Sequence, residues 1–165
     1  MLTQALLALG SNLGDCDANL EEAIRRIDAL PETRVQRRSA IYRTPPWGKR
    51  DQPAFLNAVI AVETALDPHA LLDACLAIEA AMGRERRERW GPRLIDIDVL
   101  THGDAVIESE ALTLPHPAIT SRAFVLIPLR DVSPDLLLNG EGIETHLNRL
   151  PPEEITQITR FPDKR

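Results

Sequence analysis

The order of helical and strand-like segments up to His102 limits the possible folds more than any other feature of the sequence. The first helical segment has apolar residues at helical spacing and is ended by Pro31; these residues are Leu20, Ile24, Ile27 and Leu30. A second begins with the N-cap and first-turn pair Asp67 and Pro68, is ended by Gly83, and presents an apolar face made of Leu71, Leu72, Cys75, Ile78 and Met82. The strand-like segments are QALLALG, ended by Gly10, then TRVQRRSAIYR, AFLNAVIAVET and RLIDIDVLTH.

This order of strand, helix, strand, strand, helix, strand is the split βαββαβ unit of ferredoxin-like folds. We therefore expect an α+β protein with a ferredoxin-like core, a mainly antiparallel sheet with two helices on one face, and a C-terminal extension. In the extension we expect a short strand at AVI, a helix in SRAFVLIPL, a short helix in GIETHLNRL and a strand near ITQITR. The first of these helices should stop near Val125 or Leu126, because Pro128 interrupts it. No repeat or linker divides the sequence, so residues 1–165 are expected to form a single domain.

Charge and cysteine content narrow the class of partner. A net charge of −6 argues against nucleic acids and anionic membranes, since both favour a positively charged surface. The opening MLTQALLALGSN lacks a basic leader, and no apolar run approaches the roughly 20 residues needed to span a bilayer. Cys16 and Cys75 lie far apart and form no disulfide or zinc pattern. We expect a cytoplasmic protein that acts as a monomer on small molecules, without nucleic-acid or membrane partners.

Asp96 and Asp98 stand in an otherwise apolar strand. Residues two apart in a strand point to the same face, about 6.6 Å apart along the chain, so the two carboxylates should lie opposite Ile95, Ile97 and Val99. Aspartate is depleted in strands, and a divalent cation would relieve the repulsion between the carboxylates. Their hard oxygen atoms favour Mg²⁺, which also takes water and phosphate ligands. The alternative is an outward-facing polar strand edge that pairs with arginines.

Arginines are concentrated just before this strand, in GRERRERWGPR. This run is either a solvated, salt-bridged loop or, beside a Mg²⁺ site, equipment for clamping a triphosphate. Neither a P-loop nor a dinucleotide-binding motif is present in the sequence. The segment GSNLGD is open to two interpretations, a backbone cradle for an anion or a plain turn between strand and helix.

A second group of residues suits a flat heterocycle. Phe55 and Asn57 share a strand face and offer a ring for stacking and an amide that donates and accepts. Taken by themselves, such residues more often serve packing and cross-strand bonding. Phe124 could stack from the other side or belong to the core. His116 is held between two prolines, and Arg122 supplies a further cation nearby.

These residues together resemble a known family. The segments LGSNLGD, TPPWG, DQPAFLNA, GRERRERWGPRLIDIDVL, LPHP and RAFVLIPL occur in an order similar to that of 6-hydroxymethyl-7,8-dihydropterin pyrophosphokinase. The resemblance implies transfer of pyrophosphate from ATP to the hydroxymethyl group of the pterin, with release of AMP, in tetrahydrofolate biosynthesis. It also implies that Asp96 and Asp98 hold two Mg²⁺ ions.

The resemblance further implies roles for individual positions. The phosphates would be stabilised by Arg84 and Arg93, which with the two aspartates make the catalytic set. The nucleotide would be contacted by Glu79, Arg86, Trp90, Arg93, His116 and Arg122. The pterin would be bound by Thr44, Pro45, Trp47 and Asn57, with its ring between Phe55 and Phe124. The segments 44–52 and 83–90 would be lids that exclude water from the phosphates.

The sequence departs from the family pattern at three places. Leu76 stands where some members carry a glutamine that contacts adenosine, Ala118 replaces a polar or basic residue, and the arginine loop is one residue shorter than in some members. Two other functions are compatible with the same residues. One is a non-catalytic ferredoxin-like module that binds a nucleotide or pterin, and the other is a Mg²⁺-dependent phosphohydrolase.

Overall fold

A computed structural model of the chain describes residues 2–45, 53–83 and 94–162. Its strands are β1 (Thr3–Ser11), β2 (Thr33–Arg38), β3 (Ile41–Thr44), β4 (Phe55–Thr64), β5 (Asp96–His102), β6 (Ile107–Glu108), β7 (Thr113–Leu114), β8 (Leu137–Leu138), β9 (Glu141–Gly142) and β10 (Thr159–Phe161). Its helices are α1 (Cys16–Asp28), α2 (Pro68–Met82), α3 (Ala123–Val132), α4 (Ile143–Asn148) and α5 (Pro152–Thr156). A 3₁₀ turn, Ile119–Ser121, precedes α3.

Over the described ranges the main sheet has six strands in the order β10-β3-β4-β1-β5, and β2 also pairs with β4. Every pairing is antiparallel. The strands and helices from β1 to β5 therefore form the expected ferredoxin-like core. Both helices of that core, α1 and α2, pack on one face, against an apolar cluster that includes Leu7, Leu9, Ile60, Ile97 and Val99.

The helix starts follow the capping chemistry of the sequence. The side chain of Asp67 accepts a hydrogen bond from the N–H of Ala70 at 2.8 Å, as expected for the N-cap of α2, and Gly83 follows its last turn. Asp15 plays the same part for α1 by accepting from the N–H of Ala18. These local bonds satisfy backbone donors that no helical carbonyl can reach.

The prediction of one strand over TRVQRRSAIYR was wrong, because the segment is divided into β2 and β3 at Ser39 and Ala40. The N–H of Val59 donates to the Ser39 hydroxyl at 2.9 Å, so a side chain replaces a backbone acceptor here. The N–H of Ala40 donates to the carboxylate of Asp131 at 3.1 Å. The ladder is therefore interrupted without leaving these backbone groups unpaired.

The expected end of the third helix was also wrong, since α3 continues through Pro128 to Val132. This helix covers the other face of the sheet and buries most of its residues against Leu6, Val59, Ala61 and Leu100. A proline inside a helix costs about 3 kcal/mol. Each buried leucine-sized side chain contributes about 1.5–3 kcal/mol, so the tertiary packing offsets the loss at Pro128.

The remaining extension was predicted in part. Of the AVI segment only Ile107 lies in a strand, and β6 pairs with β7 in a separate small sheet. The helix in GIETHLNRL is confirmed as α4. ITQITR divides between the end of α5 and β10, which adds to the main sheet beside β3. In the part of the chain that the structure describes, no helix is both long enough and apolar enough to cross a membrane.

Candidate functional site

One row of residues crosses the sheet on the face that carries α3. Asn57 of β4 lies opposite both Tyr42 of β3 and Gly10 of β1, and Gly10 lies opposite Asp96 of β5. Residues directly opposite each other in an antiparallel sheet point to the same face. With adjacent strands about 4.8 Å apart, the backbones of Asn57 and Asp96 are separated by roughly 10 Å. The amide and the first carboxylate therefore face the same space.

The two aspartates share this face, as predicted from their spacing. Ile97 between them is 2% exposed and packs on the opposite side of the sheet. Asp96 is half-buried and Asp98 is exposed at the surface. Their neighbours on β1 are Gly10 and Ala8, which are among the smallest residues, so neither neighbour places a large side chain beside the carboxylates.

The donor set fits a magnesium ion. Within residues 2–45, 53–83 and 94–162, no group of three or more histidine, cysteine, aspartate or glutamate side chains could hold a metal. Magnesium is commonly held by one or two carboxylates while water and phosphate complete its shell, which is what Asp96 and Asp98 offer.

The neutral half of the row is buried and internally bonded. Asn57 is 7% exposed, and its Nδ2 donates to the hydroxyl of Thr44 at 2.9 Å. Thr44 lies opposite Phe55, which places that ring on the same face as the amide. The bond to Thr44 fixes the direction of the Asn57 amide, so its remaining hydrogen-bonding atoms are oriented before any ligand arrives.

Gly10 is a residue of the candidate site that the sequence reasoning missed, since it was expected only to end the strand. The strand β1 continues through Gly10 to Ser11. A Cβ at position 10 would lie 2.9 Å from Asn57 Oδ1 and 3.7 Å from the Phe55 ring. The absence of a side chain is therefore a condition for the position of Asn57.

Phe124 enters from the opposite layer, in the first turn of α3. It packs partly against the apolar cluster between α3 and the sheet, and part of its surface stays accessible. The guanidinium carbon of Arg122 lies 5.6 Å from the centre of the Phe124 ring, within the range of a cation–π contact. The core role considered for Phe124 therefore describes part of its environment, and the rest of the ring surface stays accessible beside Arg122.

His116 lies near Asp98 and has a defined tautomer. Its backbone N–H donates to the carbonyl of Leu100 at 2.9 Å, which ties the loop to β5. Its ring Nδ1 accepts the N–H of Ala118 at 3.1 Å, so in the neutral ring the proton is on Nε2. Burial is the main cause that lowers the pKa of His116. The negative charge of Asp98 raises this pKa, and the positive charge of Arg122 lowers it further. The neutral ring can then donate through Nε2 to a phosphate or nucleotide base.

A family model described as 7,8-dihydro-6-hydroxymethylpterin-pyrophosphokinase matches residues 6–134. The chain belongs to this family. A relative from Methylorubrum extorquens, named 2-amino-4-hydroxy-6-hydroxymethyldihydropteridine pyrophosphokinase, is 52% identical over 157 residues, 95% of this chain and 99% of that protein. A relative of the same name from Pseudomonas aeruginosa is 42% identical over 159 residues, 96% of this chain and 98% of that protein. The chain is therefore a pyrophosphokinase of folate biosynthesis, a family that uses ATP as co-substrate.

Solved structures agree on the fold of this pyrophosphokinase. The crystal structure of Plasmodium falciparum HPPK-DHPS with pteroate covers 97% of this chain with a TM-score of 0.75 and 17% sequence identity. The present chain matches 46% of that solved chain, so it spans less than half of its length. At this identity the likeness supports the architecture alone.

Two further positions from the sequence analysis, the segment GSNLGD and Glu79, lie within the described residues. The segment GSNLGD behaves as a turn whose polar groups are used internally, because Asn19 Nδ2 donates to the Leu13 carbonyl at 2.8 Å and to the Ser11 hydroxyl at 3.2 Å. The side chain of Asn12 donates to the Pro53 carbonyl at 3.4 Å and so links this turn to the start of β4. These bonds stabilise a turn between β1 and α1; because they occupy oxygen acceptors and not backbone N–H groups, they do not decide between the plain turn and the anion cradle.

Glu79 is placed at the edge of the sheet. It lies in the last turn of α2, and its Oε2 accepts the backbone N–H of Ile97 at 2.6 Å. Cys75, one helical turn earlier, is buried, and its pKa is raised to about 12, first by burial and then by the negative charges of Glu79 and Asp98. The Cys75 thiol is therefore protonated at neutral pH and is not a nucleophile.

Of the remaining positions named in the sequence analysis, some lie within the described residues and others do not. Pro45 is half-buried directly after β3, Leu76 is 48% exposed on α2, and Ala118 precedes the 3₁₀ turn before α3. Five predicted site residues lie outside the described residues, namely Trp47, Arg84, Arg86, Trp90 and Arg93.

Proposed function

We propose that this chain catalyses the Mg²⁺-dependent transfer of pyrophosphate from ATP to the hydroxymethyl group of 6-hydroxymethyl-7,8-dihydropterin, which yields AMP and the pterin diphosphate. The observation that supports it most directly is the row in which the Asn57 amide and the Asp96 carboxylate face the same space. A site for a flat heterocycle then lies beside a site for metal-bound phosphates. The relatives' names, which refer to a pterin and a pyrophosphokinase, agree with this pairing.

Asp96 and Asp98 would hold two Mg²⁺ ions in this reaction. The chemistry that the bound ions supply is neutralisation of phosphate charge and alignment of the pterin hydroxyl for in-line displacement. The contribution of the protein is to keep both carboxylates on one face of β5, opposite the small residues Ala8 and Gly10 of β1. Partial exposure keeps the carboxylates hydrated until the ions arrive.

The pterin would bind at the neutral end of the row. Asn57, oriented by Thr44, would donate to and accept from the edge of the ring, and Phe55 and Phe124 would stack on its two faces. Pro45 and Trp47 would close the edge of this pocket, in the loop that follows β3. A buried site with fixed hydrogen-bonding groups suits a heterocycle whose donors and acceptors lie in one plane.

ATP would bind on the side of β5 and His116. The proton on Nε2 of His116 and the guanidinium of Arg122 would contact the nucleotide, together with Arg86 and Trp90. For Glu79, the resemblance alone supports a nucleotide contact, since its carboxylate accepts the N–H of Ile97. Arg84 and Arg93 would stabilise the developing charge on the phosphates. The segments 44–52 and 83–90 would close over the phosphates and exclude water, which would otherwise compete with the pterin hydroxyl.

We further propose that residues 1–165 form a single pyrophosphokinase domain that works as a monomer in the cytoplasm on small-molecule substrates alone. The continuous match of the family model and the coverage of both bacterial relatives support this organisation. Sedimentation analysis at the concentration used for activity measurements tests it, since a dimer would sediment as a particle of twice the 18.3 kDa mass.

The test of the function is to mix the purified protein with Mg²⁺, ATP and the pterin and to resolve the nucleotide products by chromatography. AMP should appear only when the pterin is present, because pyrophosphate transfer removes two phosphates together. ADP, or phosphate release without pterin, would instead identify a phosphohydrolase. Binding of both ligands without any product would identify a non-catalytic module. Asp98→Ala, assayed in parallel, shows whether any AMP arises from the proposed site.

A further inference from the structure

We propose that Glu79 is a positioning residue, which holds the edge strand β5 through the Ile97 backbone and thereby sets the direction of the Asp96 and Asp98 side chains. This inference rests on the proposed metal-binding role of the two aspartates. It differs from the nucleotide contact that the family resemblance implies for Glu79, since it needs no ligand.

The geometry begins with the location of β5. This strand lies at one end of the main sheet as described, and its partner there is β1, in which Leu9 lies opposite Ile97. A backbone N–H that points away from the partner strand at such an edge would normally bond water. At Ile97 the Glu79 carboxylate accepts this N–H instead, at 2.6 Å. A charged acceptor at that distance makes one of the stronger hydrogen bonds available to a backbone donor.

Ile97 is the only residue between the two aspartates. Its N–H belongs to the peptide plane that joins it to Asp96, and its own φ and ψ determine how Asp98 follows. If this plane rotates, both carboxylates change direction, because the two side chains share one strand face. Fixing a single N–H therefore orients both proposed metal ligands.

A second contact ties the same two elements together. A Cβ built on Gly83, just after α2, would lie 3.2 Å from the Cβ of Leu94, two residues before β5. The last turn of α2 is thus closely packed on the entry to β5 as well as bonded to Ile97.

The first measurement is amide hydrogen exchange at Ile97 by NMR in the metal-free protein. Glu79→Ala should raise the exchange rate at Ile97 by about 10-fold, the effect of losing one hydrogen bond. Glu79→Gln retains an oxygen acceptor and should stay within about threefold of the wild type. Asp73→Ala is the matched control, because it removes an exposed carboxylate from the same helix and should leave Ile97 unchanged.

The second measurement separates positioning from nucleotide contact. Glu79→Ala should lower kcat by about 10- to 100-fold, as expected when proposed metal ligands are misaligned, with KM for ATP changed by less than about threefold. Glu79→Gln should restore most of kcat. If Glu79→Ala does not fold, Glu79→Asp, which is one methylene shorter, is measured in the same way.

Two results would overturn the proposal. One is an Ile97 exchange rate that is the same in Glu79→Ala and in the wild type. The other is a loss of activity in Glu79→Gln as large as in Glu79→Ala, which would show that Glu79 acts through its charge on the ligand. The exchange experiment does not depend on catalysis. If the proposed function is wrong, the wild-type protein forms no AMP, but the effect of Glu79→Ala on the exchange rate of Ile97 is still observed.

Discussion

The two ends of the row across the sheet are prepared for their ligands in different ways. At the neutral end, Asn57 is 7% exposed and Thr44 is 2% exposed, and the two are bonded to each other. At the acidic end, Asp98 is exposed on an edge strand. The neutral end is thus held by a hydrogen bond and little exposed to solvent, whereas the acidic end is accessible to solvent.

This difference follows from the cost of desolvation. A buried neutral amide is tolerated when its hydrogen bonds are made within the protein, and the bonds also fix its orientation. Burying a charged carboxylate costs several kcal/mol, and at the acidic end Asp98 remains exposed to water. Substitutions at the neutral end should therefore lower stability and ligand recognition, whereas substitutions at the acidic end should lower the catalytic rate.

The largest effect is expected at the acidic end. Asp98→Ala should lower turnover by at least about 1,000-fold, because metal ligation supplies several kcal/mol of transition-state stabilisation. The thermal midpoint should stay near that of the wild type, since Asp98 is exposed and not packed in the core. Steady-state kinetics and calorimetry on the same sample separate the two quantities. Asp104→Ala, an exposed aspartate in the turn after β5, serves as the control and should keep full activity. Full activity in Asp98→Ala would remove the metal role of this residue.

The next effect is expected at the neutral end. Gly10→Ala brings a Cβ to 2.9 Å from Asn57 Oδ1, so the amide must move or the strands must separate. We expect a loss of about 1–3 kcal/mol in the free energy of unfolding, typical of overpacking. Pterin affinity should fall by about 10-fold, the equivalent of one hydrogen bond. Calorimetric titration with the pterin measures the affinity. Gly142→Ala is the control, because nothing lies within 4 Å of its added Cβ. Unchanged pterin affinity in Gly10→Ala would show that Asn57 does not need its observed position.

The smallest effect is expected just outside the site, at Tyr42, which lies opposite Asn57. Its hydroxyl donates to the Asp131 carboxylate at 2.7 Å, and Asp131 also accepts the N–H of Ala40, so this pair ties β3 to α3. Tyr42→Phe should cost about 1–2 kcal/mol of stability, the value of a hydrogen bond to a charged group. Urea denaturation measures it, and kcat should stay within about twofold. A large loss of kcat would mean that the spacing between β3 and α3 affects catalysis.

The same hydrogen bond has a pH signature. Burial, followed by the bond to and charge of Asp131, raises the pKa of Tyr42 to about 12, from 10.0. Since the folded-state pKa is the higher one, the stabilisation is complete below pH 10 and is lost as the pH rises toward 12. The chain contains one tyrosine, so ultraviolet titration of phenolate absorbance follows Tyr42 alone. A midpoint near 10 in the folded protein would contradict the hydrogen-bonded pair of Tyr42 and Asp131.

The sequence predicted those parts of the site that depend on local periodicity. The two-residue spacing of Asp96 and Asp98, and of Phe55 and Asn57, places each pair on one strand face, because the period of a strand does not depend on its neighbours. The Asp67 cap was predictable for the same reason, since a capping bond spans three residues.

Features that depend on distant residues were not predictable from the pattern. At the break between β2 and β3, the N–H of Ala40 is paired by the carboxylate of Asp131 in α3. The continuation of α3 through Pro128 is stabilised by packing on the apolar face of the sheet. The steric requirement at Gly10 comes from Asn57, and the bond at Ile97 comes from Glu79. In each case the deciding partner lies on another element, so its effect becomes visible only after the chain has folded.

The edge position of β5 has a consequence for the solubility of the protein. An edge strand with accessible N–H groups can pair with a strand of another molecule and begin aggregation. Glu79 occupies the N–H of Ile97, and the charged side chains of Asp96 and Asp98 oppose the approach of a second strand. Over the described residues, we therefore expect the carboxylates proposed for catalysis also to disfavour pairing of β5 with another molecule. A search for inactive variants in this strand would therefore also yield molecules that precipitate more readily at high concentration.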